Sequence, residues 1–233
     1  MKAVILVGGA GTRLRPVTYE IPKPLITVKK KPIVNHLIEF FERYGVDEVG
    51  LLASREHESD FARWKKAWDG ELPITKITTF FEEKPRGTFG GVMELRDWIG
   101  EEDFVLSNGD ELKDFNLGEL IDFHKTNKPV GTIALVPVLK PHEYGVPIMN
   151  KDAIVEFLEK PKDPPSNFVS SGLYVLNPAI FKYGDPSKEF SMIEKDIFPF
   201  VAKDGKLSGV RFTDARWYDC GNLERWESAM KEW

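Results

Sequence analysis

Cysteine is nearly absent: among 233 residues, Cys220 carries the one thiol. That excludes an intramolecular disulfide and any cysteine-rich zinc site, and a lone thiol fits a reducing cytosol. Long apolar runs are missing too. The opening "MKAVILVGG" offers only the run 3–7 before its glycines. That is too short for a signal peptide or membrane span, and no later stretch reaches the roughly 18 apolar residues a spanning helix needs. A cytoplasmic chain with no membrane partner is therefore expected. Positive charge is in short supply: 32 Lys and Arg against 37 Asp and Glu leave a net charge of −5, so no global field draws in nucleic acid. A small anion can bind only where basic residues cluster locally. Repeats, low-complexity linkers and charge tracts are also lacking, and "KDPPSN" (162–167) reads as a loop. One domain over 1–233 is expected, long enough to bury roughly 70–75% of its unfolded surface without a staple.

What the chain does have is alternation. "KAVILV" (2–7) reads as a buried strand, and "PIVNHLIEFFERYG" (32–45) as a helix opened by Pro32 and closed by Gly45. "DEVGLLA" (47–53), "ITKITTFF" (74–81) and "DFVLSNGD" (103–110) read as further strands, separated by helices over 56–68 and 89–99. This order predicts βαβ units and a Rossmann-like α/β fold: a mixed, mostly parallel sheet flanked by helices. After a helix over 117–127, short strands crowd together at 129–139, 145–150, 153–160 and 168–177, as in a partly antiparallel region. The change divides the domain into halves of about 1–128 and 129–233. The segment 191–205 reads as a helix kinked at Pro199, and 222–233 as a terminal amphipathic helix capped by Asn222.

The first strand leads into "VGGAGTRLRPVTYEIPKP" (7–24), where Arg13, Arg15 and Lys23 lie among glycines and prolines. A glycine turn after a strand is a common phosphate site, because free backbone N–H groups converge there. The dinucleotide fingerprint fails, since its third glycine would fall on Leu14, and no P-loop string occurs. What remains is a glycine turn reinforced by guanidinium and ammonium groups. Pro22 and Pro24 restrict the backbone on either side of Lys23 and would pre-aim it.

That stretch resembles the signature of the sugar-1-phosphate nucleotidylyltransferases, G-G-x-G-T-R-L-x-P-x-T followed by P-K-P, and matches every fixed position. The resemblance implies a glycosyltransferase-A-like fold and an enzyme that joins an NTP to a sugar 1-phosphate and releases pyrophosphate. It places the loop backbone around Leu6, Gly8, Gly9, Gly11 and Thr12 on the nucleotide, with Arg13 and Lys23 as catalytic cations. Such transfer needs mainly electrostatic stabilisation. It also implies Mg²⁺: "LSNGD" places Asp110 past a strand end, where ligands of open α/β sheets sit. "RWYDCGN" supplies Asp219 within a string similar to the family's W-x-D-x-G-T, with Asn222 in place of Thr. Cys220 is assigned to packing.

"EEKPRGTFGG" resembles the family's nucleobase segment at Gly87 and Thr88. Thr88 could equally be a helix cap. Glu82 or Glu83 before it could accept both hydrogens of the guanine edge, where uracil has one donor, which favours GTP; an exposed glutamate without a ligand is the competing reading. On the acceptor side "EYGV", "FLEKP" and "SSGLYVL" resemble three sugar-phosphate motifs. They implicate Tyr144, Gly145, Glu159, Lys160, Ser170 and Gly172, with Asn108 from the N-G-D string. Ser170 stands where the family commonly has Asn, so its sugar preference does not transfer. His57, His124 and His142 lack metal-ligand spacing and are assigned to the surface or helix faces. No hexapeptide-repeat segment follows, so a compact form is expected; a homo-oligomer through the last helix is possible. An inactive nucleotide-sugar-binding subunit, or transfer to a non-sugar phosphate, stay open as alternatives.

Overall fold

The structure, a computed structural model, describes residues 1–74 and 76–233. Its strands are β1 (Lys2–Leu6), β2 (Thr27–Val28), β3 (Lys31–Pro32), β4 (Glu48–Ser54), β5 (Lys76–Glu82), β6 (Phe104–Asn108) and β7 (Glu111–Asp114). They continue with β8 (Gly131–Pro137), β9 (Gly145–Asn150), β10 (Ala153–Glu159), β11 (Phe168–Leu176), β12 (Leu207–Arg211) and β13 (Arg216–Asp219). The helices are α1 (Ile33–Glu42), α2 (Glu58–Ala67), α3 (Gly87–Glu94), α4 (Arg96–Ile99), α5 (Leu117–Asn127), α6 (Phe198–Lys203) and α7 (Leu223–Glu232). The chain forms two compact units of interleaved segments: 1–85, 107–115 and 216–233 in one, 86–106 and 116–215 in the other.

In the first unit β5, β4 and β1 are neighbours in that order, and both pairings are parallel. Ala3, Val4 and Ile5 of β1 are fully buried, as expected of an apolar strand covered on both faces. α1 buries Ile33, Val34, Leu37, Ile38, Phe40 and Phe41 at helical spacing. A two-stranded antiparallel ribbon, β7 with β13, completes the unit. In the second unit the order is β11-β8-β12-β10-β9; β12 runs parallel to β8, while β11 with β8, β10 with β12 and β9 with β10 are antiparallel. The mixed α/β architecture read from the alternation is present.

Several elements differ in detail. The helix expected over 89–99 breaks at Leu95 into α3 and α4. The segment 191–205 is a π-helical turn, Ile193–Ile197, followed by α6, and Pro199 lies in the first turn of α6 rather than kinking a longer helix. The missing proline N–H costs nothing there, because first-turn donors have no intrahelical partner. The strand expected from 74 begins at Lys76; Thr75 lies outside the described residues. β7, β12 and β13 were not anticipated: each is four or five residues long and offers too little pattern to read. Among the described residues no helix is long and apolar enough to cross a membrane.

Candidate active site

The glycine loop leaves β1 and folds into short 3₁₀ turns at Thr12–Leu14, Val17–Tyr19 and Lys23–Leu25. Gly11 has φ +60°, and a Cβ there would lie 2.7 Å from Cγ2 of Thr18, so the turn admits only glycine. Thr18 Oγ1 donates to the Gly11 carbonyl at 2.8 Å, closing the loop on itself. Gly8 and Gly11 are half-buried, whereas Gly9, Thr12 and Arg13 are exposed. Arg13 makes no hydrogen bond or ion pair among the described residues. Arg15 instead lies 4.9 Å above the Tyr19 ring.

Lys23 is buried, and its ammonium donates to Asp110 in a tight ion pair. The neighbouring Gly109 N–H donates to the Leu6 carbonyl at 3.0 Å, so the end of β1 and the N-G-D turn are in contact. A Cβ on Gly109 would stand 2.6 Å from that carbonyl oxygen, and only glycine permits this approach. Asp219 arrives on β13, whose register pairs it with Glu111 of β7, and the Cys220 N–H donates to the Asp110 carbonyl at 3.0 Å. The structure thus brings Lys23, Asp110 and Asp219, read from distant strings, to one ribbon end beside the glycine loop. Glu82 ends β5 half-buried, with its Oε2 at 3.3 Å from where a Gly8 Cβ would sit; Glu83 is exposed and binds Arg55.

Burial alone would raise the Asp110 carboxyl, but the Lys23 ammonium, with Lys113 adding to it, holds it below its ordinary value. Three residues at this centre were not anticipated. Glu111 accepts from Asn108 at 3.0 Å, Lys113 at 2.6 Å and Trp217 Nε1 at 3.1 Å. Burial pushes its carboxyl up to about 7 against the pull of Lys113, with Asp110 and Asp219 contributing to the rise. Arg225 of α7 donates to Asp219. The adjacency of Glu111 to Asp110 was the one sequence signal available; nothing in the local sequence marks Lys113 or Arg225. Asn222, the departure from the family string, caps α7: its Oδ1 accepts from Arg225 N at 2.9 Å, so it begins the helix that carries the partner of Asp219. Cys220 is buried, and burial with the nearby acids drives its thiol up to about 12, which leaves it an inert packing group.

Among the described residues no cluster of three or more His, Cys, Asp or Glu is arranged to hold a metal unaided. Asp110 and Asp219 do fit magnesium, which commonly takes one or two carboxylates and completes its shell with phosphate oxygens and water.

The second unit gathers the other motif residues. Gly87, at φ +79°, opens α3, and the Phe89 and Gly90 N–H groups donate to the Ser191 carbonyl at 2.9 and 3.2 Å. Thr88 does not cap α3; its Oγ1 donates to Glu194 Oε2 at 2.6 Å and accepts from Ile193 N at 2.9 Å. Glu159 ends β10, with Oε2 at 3.2 Å from where a Gly145 Cβ would sit. Lys160 is exposed, and its N–H donates to the Tyr144 carbonyl at 3.0 Å. On β11 Ser170 is buried, and Gly172 adopts φ +62° where the pairing with β8 slips. Of the surface and helix-face readings for His124 the second holds: it is buried on α5, with Nδ1 at 2.8 Å from Thr132 Oγ1.

Comparison with known proteins agrees with the loop. A mannose-1-phosphate guanylyltransferase catalytic subunit beta of Dictyostelium discoideum is 36% identical over 233 residues, covering 99% of this chain and 64% of that protein. A mannose-1-phosphate guanylyltransferase of Mycobacterium tuberculosis is 34% identical over 227 residues, covering 95% and 61%. The chain therefore spans less than two thirds of the length of these relatives. A crystal structure of UDP-glucose pyrophosphorylase complexed with UDP-glucose shares the fold, with a TM-score of 0.83 at 22% identity over 99% of this chain and 97% of that one. The family described as nucleotidyl transferase matches residues 2–233, which leaves no strand of either unit outside it: the chain belongs to the nucleotidyl transferase family.

Proposed function

We propose that the chain catalyses nucleotidyl transfer from an NTP to a sugar 1-phosphate, with GTP as donor and mannose 1-phosphate as the first acceptor to test. The observation that carries this reading is the meeting of Lys23, Asp110 and Asp219 at one ribbon end beside the glycine loop. The names of the Dictyostelium and Mycobacterium relatives supply the guanylyl and mannose terms. The half-buried Glu82 against Gly8 suits the paired donors of a guanine edge.

In this scheme a phosphate oxygen of the sugar 1-phosphate attacks the α-phosphorus and the bond to the β-phosphate oxygen breaks, so pyrophosphate leaves. Backbone N–H groups of the 8–12 turn receive the phosphates. Lys23 and Arg13 stabilise charge on the α-phosphate and the leaving group, which such a loose transition state requires. Asp110 and Asp219 would hold magnesium, which supplies further neutralisation of phosphate charge when bound. Lys23 meanwhile keeps Asp110 ionised and aimed. The acceptor-side residues Asn108, Tyr144, Gly145, Glu159, Lys160, Ser170 and Gly172 would receive the sugar phosphate, and Gly87 and Thr88 the base. The test is a matrix of GTP, ATP, UTP, CTP and dTTP against mannose, glucose and a heptose 1-phosphate, scored for pyrophosphate. Preference for GTP with a sugar 1-phosphate is expected; no pyrophosphate from any pair contradicts the reading.

A further inference from the structure

Each acid of the proposed metal site is paired with a cation of this chain. Lys23 donates to Asp110, and Arg225 Nη1 donates to Asp219 Oδ2. Lys23 serves the phosphates in the proposed transfer; Arg225 has no part in it. Its placement is nevertheless closely set. Asn222 Oδ1 accepts from Arg225 N at 2.9 Å, so the residue that caps α7 also fixes the backbone of Arg225 in the first turn. A cation in the first turn opposes the helix dipole, so the stability of α7 does not call for arginine here. Gly221 lies against the same carboxylate: a Cβ there would stand 2.6 Å from Asp219 Oδ1.

The Arg225 and Asp219 side chains are only 20% and 12% exposed, so water screens the pair weakly and the guanidinium offsets much of the carboxylate charge. Beside it Lys113 is paired with Glu111. Asp110, Glu111 and Asp219 are thus matched by Lys23, Lys113 and Arg225, and a divalent cation meets no surplus of negative charge among these six side chains. A polyphosphate changes that balance, because its anionic oxygens offer the guanidinium another partner and the metal further ligands. We infer that Arg225 is a positioning residue that competes with the metal for Asp219, so that the cation is captured only together with a polyphosphate. The inference rests on the proposed metal role of Asp110 and Asp219 and adds the residue that makes that role conditional on nucleotide.

The test measures Mn²⁺ binding to the full chain without nucleotide, from the loss of the free Mn²⁺ signal in electron paramagnetic resonance. Wild type is expected to bind in the millimolar range. Arg225→Gln keeps a donor for Asp219 but removes the charge, and should bind about tenfold more tightly, the scale of a charge-assisted hydrogen bond. Asp219→Asn added to it should cancel that gain, which assigns the site. Arg225→Lys retains the charge and should stay within about twofold of wild type, as should Arg43→Gln, whose exposed partner is Asp114. A merely structural role for Arg225 would weaken Mn²⁺ binding on its removal rather than strengthen it. No gain in Arg225→Gln, or an equal gain in Arg225→Lys, overturns the inference while magnesium-dependent transfer stands. Micromolar Mn²⁺ binding by nucleotide-free wild type overturns it without any variant, which keeps the test decisive if Arg225→Gln fails to fold. Pyrophosphate release that does not depend on magnesium removes the metal reading itself and this inference with it.

Discussion

Lys23 sits between two prolines with its ammonium against Asp110, and nothing in its immediate sequence except those prolines marks it as buried. An exposed lysine could be lost at little cost; this one is held by Asp110 beside the proposed phosphate loop. Lys23→Ala is expected to lower kcat by at least about a hundredfold, the scale of removing one preorganised electrostatic group, as measured by pyrophosphate release. His124 tests a different physical point, because it is buried as the neutral imidazole. Burial lowers its pKa from 6.5, against the opposing pull of Asp103. Below 6.5 the unfolded chain takes the proton first, so the stability that His124 supports is fully present above that value and drains away as pH falls. Urea denaturation at pH 7.5 and 5.5 should show a smaller loss of stability in His124→Gln than in wild type.

Among the elements, the β7–β13 ribbon carries Asp219 of the proposed metal site, with Asp110 just ahead of β7, and it buries an ion pair as well as the apolar Leu112. Lys113 is fully buried against Glu111, which also receives Asn108 and Trp217. Lys113→Met leaves a buried carboxylate without its cation and should cost about 3–5 kcal/mol in urea denaturation. Adding Glu111→Gln should recover part of that loss, so the double variant is expected to be more stable than the sum of the singles. At the next element, Asn222→Ala removes the cap of α7 and should cost about 1 kcal/mol, with a further fall in activity because Arg225 beside Asp219 is carried by that helix. These elements were the least legible in the sequence. Strands of the βαβ region and helices such as α1 and α5 announce themselves by long apolar periodicity. The ribbon strands β7 and β13 are only four residues each and carry charged and aromatic side chains, so no period distinguishes them from loop. The π-helical turn was unreadable for a related reason: its sequence has ordinary helical composition, and only tertiary packing sets its hydrogen-bond pattern.

For the whole molecule, the sparse features of the composition proved as informative as the motifs. One buried thiol and a net charge of −5 left the glycine loop as the conspicuous basic site. Its string carries the resemblance to the family. Candidate residues carried by fixed strings, Lys23, Asp110 and Asp219, meet in the structure through the Lys23–Asp110 ion pair and the Cys220 N–H bond to the Asp110 carbonyl. Residues that organise them, Glu111, Lys113 and Arg225, lie outside the strings and are placed by the ribbon pairing and by the hydrogen bonds Lys113 and Arg225 make to Glu111 and Asp219. The direct test of the central claim is the initial rate of pyrophosphate release from GTP and mannose 1-phosphate, titrated with MgCl₂, for wild type, Asp110→Asn and Asp219→Asn. A magnesium-dependent wild-type rate that falls at least about a hundredfold in each folded variant is expected. A wild-type-like rate in either variant would contradict the account.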